Sequence, residues 1–167
     1  LWIESPRIEP LLKELEDQGI STGSPGKGRA VWIALGYLIA SERSKVFALH
    51  DCDILTYDRE LLARLRYPVS NPTRGYEYAK GYYARYSDRF NGRVTRLFIT
   101  PLVRTLLKLI GYQPYLVFLD SFRYPLAGEF ALTADLARNV RIPSDWGLEI
   151  GFLVEVFRNC NVRHVCE

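Results

Sequence analysis

The sequence predicts an α/β fold in one domain. Three observations carry that expectation. The first half alternates helical and strand patterns, which is the signature of a sheet with parallel members. The 48% apolar fraction supplies a core. The 167 residues suit one domain rather than two.

Each element has a local reason. After a short extended start, Pro10 opens a helix with Leu11, Leu12 and Leu15 on one face, and Gly19 ends it. Ser21 to Gly28 reads as a loop by composition. Arg29 to Ser41 reads as a buried helix with Trp32, Leu35, Gly36 and Ile39 along one side. Lys45 to Leu49 has strand length and runs into His50-Asp51-Cys52-Asp53; Asp58 to Arg66 is the next helix. Gly75 to Tyr86 reads as a strand with Tyr76, Tyr78, Lys80 and Tyr82 on one face. Asn91-Gly92 is a turn, and Val94 to Ile110 is helical, opened or kinked at Pro101. Tyr124 to Phe130 is irregular, then extended. Asp145 to Asn159 is an amphipathic helix, and Val162 to Cys166 a last strand.

Composition narrows the function. The net charge of +3 permits an anionic ligand without implying nucleic acid. Glu77 within the Tyr-rich stretch favours a packed strand over a base-stacking platform. Three cysteines without a Cys/His cluster argue against a disulfide framework and a structural zinc, and so for a reduced, cytoplasmic protein. The longest apolar run, Val31 to Ala40, is too short for a bilayer, and no signal peptide is evident. The absence of Met and the start at Leu1-Trp2-Ile3 read as a portion of a longer chain.

Four groups of residues have chemical potential. Ligands of open α/β sheets sit beyond the carboxyl ends of strands, where Asp51 and Asp53 fall. In an extended segment their carboxylates point the same way, and oxygen donors suit Mg²⁺ or Mn²⁺. Turn-forming surface aspartates are the alternative. Two enzyme classes use such a pair: haloacid-dehalogenase-like phosphatases and nucleotide-sugar glycosyltransferases. Leu55 stands where the phosphatases usually carry Thr or Val.

Gly26-Lys27-Gly28 is not a P-loop, but a lysine between glycines at a helix start suits an anion; a surface loop is the alternative. Gly92-Arg93-Val94-Thr95 offers a turn, a guanidinium and a hydroxyl for a phosphate or carboxylate, or else a plain helix cap. Glu129 and Glu149 stand among apolar neighbours, where a carboxylate has a partner or a task. His50 and His164 read as structural, with His50 facing away from the aspartates.

The order of these motifs is more specific than any one of them. Gly26-Lys27-Gly28, Asp51-Cys52-Asp53, Asn91-Gly92-Arg93-Val94-Thr95, Pro125-Leu126-Ala127-Gly128-Glu129 and Trp146-Gly147-Leu148-Glu149-Ile150-Gly151 resemble the glucosyl-3-phosphoglycerate synthases over about Gly26 to Phe157. The resemblance implies a retaining transferase of GT-A fold, incomplete here at both ends. It implies a nucleotide-binding half over 1–66 and an acceptor-binding half over 67–167. The implied reaction moves glucose from UDP-glucose to 3-phosphoglycerate with Mg²⁺ or Mn²⁺. Alternatives are a GDP-mannose donor, a glycerate acceptor, or a sugar-nucleotide-binding module without turnover.

The resemblance also implies roles. Lys27, Asp51, Cys52, Leu126, Ala127, Gly128 and Trp146 would bind the donor. Gly92, Arg93 and Thr95 would bind the acceptor. Asp53 would hold the metal, and Asp53 and Glu149 would be catalytic. The implied partners are a sugar nucleotide and a small phosphorylated acid, with no nucleic acid or membrane and with a second copy as a candidate. The family's uracil-binding segment and a further metal-binding His lie outside the matched region, so this chain alone is expected to be poorly active.

Overall fold

Among the described residues four short strands form one mixed sheet in the order β1-β3-β2-β4. The computed structural model describes residues 5–82, 92–144 and 147–167. In chain order these give α1 (Glu9–Asp17), α2 (Lys27–Ala40), β1 (Val46–Leu49), α3 (Arg59–Ser70) and β2 (Tyr78–Lys80). A π-helical turn (Thr95–Ile99), α4 (Thr100–Ile110), α5 (Pro114–Asp120), β3 (Phe130–Thr133), α6 (Ala134–Asn139), α7 (Leu148–Asn159) and β4 (Val165–Cys166) follow.

β1 and β2 both pair antiparallel with β3, and β2 pairs parallel with β4. The expected parallel members are present, but β3 separates β1 from β2. The register puts Leu49 and Lys80 both opposite Phe130. The carboxyl ends of β1 and β2 therefore lie at the same end of the sheet.

Side-chain alternation builds the two faces. Phe47, Leu49, Tyr78, Lys80, Phe130 and Leu132 share one face. There Tyr78, Phe130 and Phe152 stack, with the Phe130 and Phe152 ring centres 4.6 Å apart. Phe152 belongs to α7, so this face is the main core. On the other face α3 lays Leu65 and Val69 over Ala79 and Ala131. The alanines let that helix sit close.

Local chemistry sets most boundaries. The Asp58 carboxylate accepts the Leu61 N–H at 2.9 Å and caps α3 where the sequence places its start. α2 starts at Lys27, two residues before the expected Arg29, so Lys27 belongs to its first turn. Its buried face is Gly28, Val31 and Leu35, and Gly36 is exposed rather than part of that face.

β2 is shorter than the expected Gly75–Tyr86 strand. Gly75, left-handed at φ 68°, closes a 3-10 turn over Pro72–Arg74 and delays the start. Residues 83–86 lie outside the described residues, as does Asn91 of the expected turn. The helix across Val94–Ile110 is continuous but opens with a π turn, in which the Thr100 N–H reaches the Thr95 carbonyl. Pro101 has no N–H and crowds the preceding turn, and a widened turn accommodates it. α7 begins at Leu148 because Gly147 turns the chain at φ 92°. Among the described residues no helix is long and apolar enough to cross a membrane, and all three cysteines are free.

Candidate active site

A lysine and two carboxylates from three distant stretches converge at the end of the sheet. The Lys27 Nζ donates to Asp51 Oδ1 at 2.7 Å and to Glu149 Oε1 at 3.0 Å. Lys27 stands on the first turn of α2, Asp51 just past β1, and Glu149 on the first turn of α7. The Lys27 and Glu149 positions are 122 residues apart in sequence. All three side chains are partly open, at 45%, 24% and 25%. A ligand can reach them.

Gly128 is the floor of this cluster. A Cβ there would lie 2.5 Å from both Asp51 carboxylate oxygens and 2.7 Å from the Lys27 Nζ. No side chain fits, and the backbone approaches the charges directly. Its position follows from the turn before it, in which the Ala127 N–H bonds the Tyr124 carbonyl at 3.1 Å with Pro125 at the second place. Ala127 is buried beside it, and Leu126 is half-buried.

Partial burial pulls the Lys27 pKa down. The hydrogen bonds to Asp51 and Glu149 outweigh it and leave the pKa above the ordinary 10.5. The ammonium is therefore fixed as a charge, with two carboxylates it can exchange for a more strongly anionic ligand.

The expectation of an anion cradle at the start of α2 needs correction in part. The strap at Pro143 and Ser144 crosses it. The Ser144 carbonyl takes the Arg29 N–H at 3.2 Å, and the Pro143 carbonyl occupies the space of a Gly28 Cβ. What the start of α2 presents to solvent is the Lys27 ammonium more than the helix end.

The aspartate pair also differs from expectation. The chain turns at Cys52 and Asp53, so the period-two argument for parallel carboxylates does not apply. Asp51 faces Lys27, whereas Cys52 and Asp53 are exposed. Among the described residues no group of three or more His, Cys, Asp or Glu converges for a metal. Asp51 and Asp53 remain oxygen donors of the right kind for a hard divalent cation, with positions left open for other ligands.

Gly92, Arg93 and Thr95 lie at the start of the helix that leads into α4. Gly92 turns at φ 75° and Arg93 is exposed. Thr95 is 3% exposed, and its hydroxyl has no hydrogen-bond partner among the described residues. The hydroxyl points inward rather than to solvent. None of the three bonds to Lys27, Asp51 or Glu149. Trp146 lies outside the described residues.

Glu155, on the same helix as Glu149, is tied up within the fold: it accepts the Arg141 N–H at 3.1 Å and pairs with Arg158 at 3.2 Å. Glu129 is 1% exposed and lies on the opposite face from Glu149, within electrostatic reach of His50 and Lys80. His50 packs edge-on against Tyr57, and burial lowers its pKa, opposed by Glu129 and Asp51. The His164 Nδ1 lies 2.6 Å from Glu77 Oε1.

Two curated relatives align with the whole of this chain. The glucosyl-3-phosphoglycerate synthase of Persephonella marina is 49% identical over 167 residues, which are 100% of this chain and 41% of that protein. That of Methanococcoides burtonii is 46% identical over 171 aligned residues, 100% of this chain and 42% of that protein. Over its whole length the chain is homologous to the glucosyl-3-phosphoglycerate synthases. It spans about two fifths of the length of these curated relatives.

The fold agrees. The Mycobacterium tuberculosis glucosyl-3-phosphoglycerate synthase, solved with Mn²⁺, UDP-glucose and phosphoglyceric acid, superposes with a TM-score of 0.66 at 25% identity. The match covers 86% of this chain and 44% of that one. The same protein has also been solved with Mg²⁺ and UDP. The mixed α/β architecture is thus that of the GT-A synthases. No protein-family model matches the chain.

Sequence reasoning missed Lys80. It is 2% exposed and its Nζ has no hydrogen-bond partner among the described residues. The signal was available: a lysine in period with Tyr76 and Tyr78 on a face expected to pack.

Proposed function

We propose that this chain is part of an enzyme that transfers glucose from UDP-glucose to 3-phosphoglycerate with retention and with Mg²⁺ or Mn²⁺. One observation carries the reading: Lys27, Asp51, Gly128 and Glu149 meet at one end of the sheet, at the positions where the motif order resembles these synthases.

The chemistry of the cluster suits the reaction. The difficult step is expulsion of a diphosphate, and fixed positive charge near the leaving oxygens lowers that barrier. Lys27 supplies it, leaving Asp51 and Glu149 for the diphosphate. Glu149 then faces the transferred glucose and orients its hydroxyls. Gly128, with Leu126 and Ala127, would line the sugar pocket. Asp51 and Cys52 face the nucleotide. Asp53, beside Asp51, would hold the metal, whose chemistry there is neutralisation of diphosphate charge. Gly92 and Arg93 would take the acceptor phosphate from their separate element, with Thr95 packed beneath. Residues 1–66 would thus serve the nucleotide and 67–167 the acceptor.

The test is UDP binding with Mn²⁺ by calorimetry, together with glucosyl transfer by the full-length enzyme measured over a matrix of donors and acceptors. UDP-glucose with 3-phosphoglycerate is expected to be the productive pair. Asp53→Ala and Glu149→Ala are expected to abolish transfer while the circular dichroism of the fold persists. Full activity in both variants, or preference for GDP-mannose or glycerate, overturns the assignment. Tight UDP binding without turnover points instead to a binding module.

A further inference from the structure

We propose that Lys80 is a positioning residue for Glu149, holding that carboxylate from inside the core while Lys27 holds it from the open side. The inference deepens the transferase reading and rests on it for its link to catalysis.

Placement comes first. Lys80 is the last residue of β2 and pairs with Phe130, as Leu49 of β1 does. It therefore stands at the end of the sheet where Asp51 leaves β1. Alternation puts its side chain on the Tyr78–Phe130 face, against which α7 packs. Its Nζ lies 6.0 Å from the Phe130 ring centre. Glu149 is on the first turn of α7.

Burial comes second. Lys80 is 2% exposed, and the Nζ has no hydrogen-bond partner among the described residues. Buried ammonium groups are costly unless paired, and this strand position would accept an aliphatic residue that packs better. A cation kept there needs a compensating use. Among the described residues four charges face it: Glu149 from α7, Glu129 from the start of β3, Glu167 after β4, and Lys27 from α2. Glu149 is the strongest of its attractive neighbours. Burial lowers the Lys80 pKa to about 8, opposed by Glu149 first, then Glu129 and Glu167, with Lys27 adding to the fall.

The consequence concerns the change when ligand arrives. On the proposed mechanism Lys27 turns to the diphosphate and leaves Glu149. Without a second cation the carboxylate would be free to follow Lys27 or swing into solvent. Lys80, almost wholly buried, keeps it in place. Lys80 touches no substrate, so its effect falls on turnover more than on donor affinity.

The test has a spectroscopic and a kinetic arm. The chain has five lysines, so ¹³Cε labelling gives a simple spectrum, and the signal lost in Lys80→Met assigns Lys80. Its titration is followed in wild type, Glu149→Gln, Glu129→Gln and Asp51→Asn. By reciprocity of linkage, neutralising the carboxylate Lys80 holds must lower its midpoint. The expected order is a fall in Glu149→Gln greater than in Glu129→Gln, with Asp51→Asn nearly silent. A midpoint unmoved in Glu149→Gln but lowered in Glu129→Gln overturns the proposal, because Lys80 then only balances Glu129. In the kinetic arm, run in the full-length enzyme, Lys80→Met lowers kcat by about 10²-fold with KM for UDP-glucose within a few fold, and Lys80→Arg restores part of the loss. Unchanged kcat in a folded Lys80→Met overturns it. The Glu149–Lys80 coupling seen in a wild type that transfers no glucose leaves the positioning intact and refutes the transferase reading. Transfer without that coupling does the opposite.

Discussion

Lys80→Met is expected to make this protein more stable. The ordinary lysine pKa of 10.5 falls to about 8 in the fold. At about 1.4 kcal/mol per pKa unit, the charged form at neutral pH is roughly 3 kcal/mol worse off in the fold than unfolded. Methionine has nearly the same length and no charge to desolvate, and it can lie on the Phe130 ring. The sign with pH is definite. Between about 8 and 10.5 the unfolded chain holds a proton on Lys80 that the folded chain has released. Lys80 therefore makes wild-type stability rise with pH through that window, and it leaves the full penalty below pH 8. The assay is urea unfolding followed by circular dichroism at pH 7 and pH 10. Lys80→Met should raise the midpoint at pH 7 by about 1–2 M, taking an m-value of about 2 kcal/mol/M, and by much less at pH 10. A midpoint lowered at pH 7 would refute the reasoning, because Lys80 would then be a net stabilising ion-pair partner.

Three further outcomes follow from the same geometry. Gly128→Ala places a methyl 2.5 Å from the Asp51 oxygens and 2.7 Å from the Lys27 Nζ; calorimetry should show donor binding weakened at least about tenfold, with unfolding within about 1 kcal/mol of wild type because the displaced groups are partly open side chains. Gly28→Ala instead places a methyl 1.7 Å from the Pro143 carbonyl oxygen, which is backbone and cannot swing away; denaturation should show a loss of about 2–4 kcal/mol. Lys27→Met removes both ion pairs, yet because the groups are partly open to solvent the denaturation midpoint should move little, while UDP affinity measured by calorimetry falls steeply.

The sequence revealed the site in pieces, and the pieces differ in how local they are. The Asp58 cap, the β1 run and the Asp51 position depend on neighbours a few residues away, and periodicity finds them. The start of α2 was misjudged because glycines on both sides of Lys27 read as loop, whereas Gly28 is there for the close approach of Pro143. α5 and α6 were not foreseen. They are 7 and 6 residues long, too short for an amphipathic period to declare itself. The turn at Cys52 and Asp53 breaks the alternation that the aspartate argument assumed. Lys80 was counted as part of a packed face without its charge being followed inward.

The meeting of Lys27 with Glu149 is the least local feature, and the strap explains it. Pro143 and Ser144 lie against three glycines at once: Gly23 before α2, Gly28 on its first turn, and Gly151 on the first turn of α7. A Cβ on Gly23 would lie 2.4 Å from the Ser144 Cβ, and one on Gly151 would lie 2.5 Å from the Pro143 ring. The strap thus draws the first turns of α2 and α7 to one place through contacts that only missing side chains allow. Lys27 adjoins Gly28, and Glu149 is two residues before Gly151, so the close packing that joins the helices also sets the 3.0 Å ion pair. The glycines of Gly26-Lys27-Gly28 and Gly147-Leu148-Glu149-Ile150-Gly151 therefore act on the site by packing. They fix where two charged residues from opposite ends of the chain can meet, and the charges themselves remain open to a ligand.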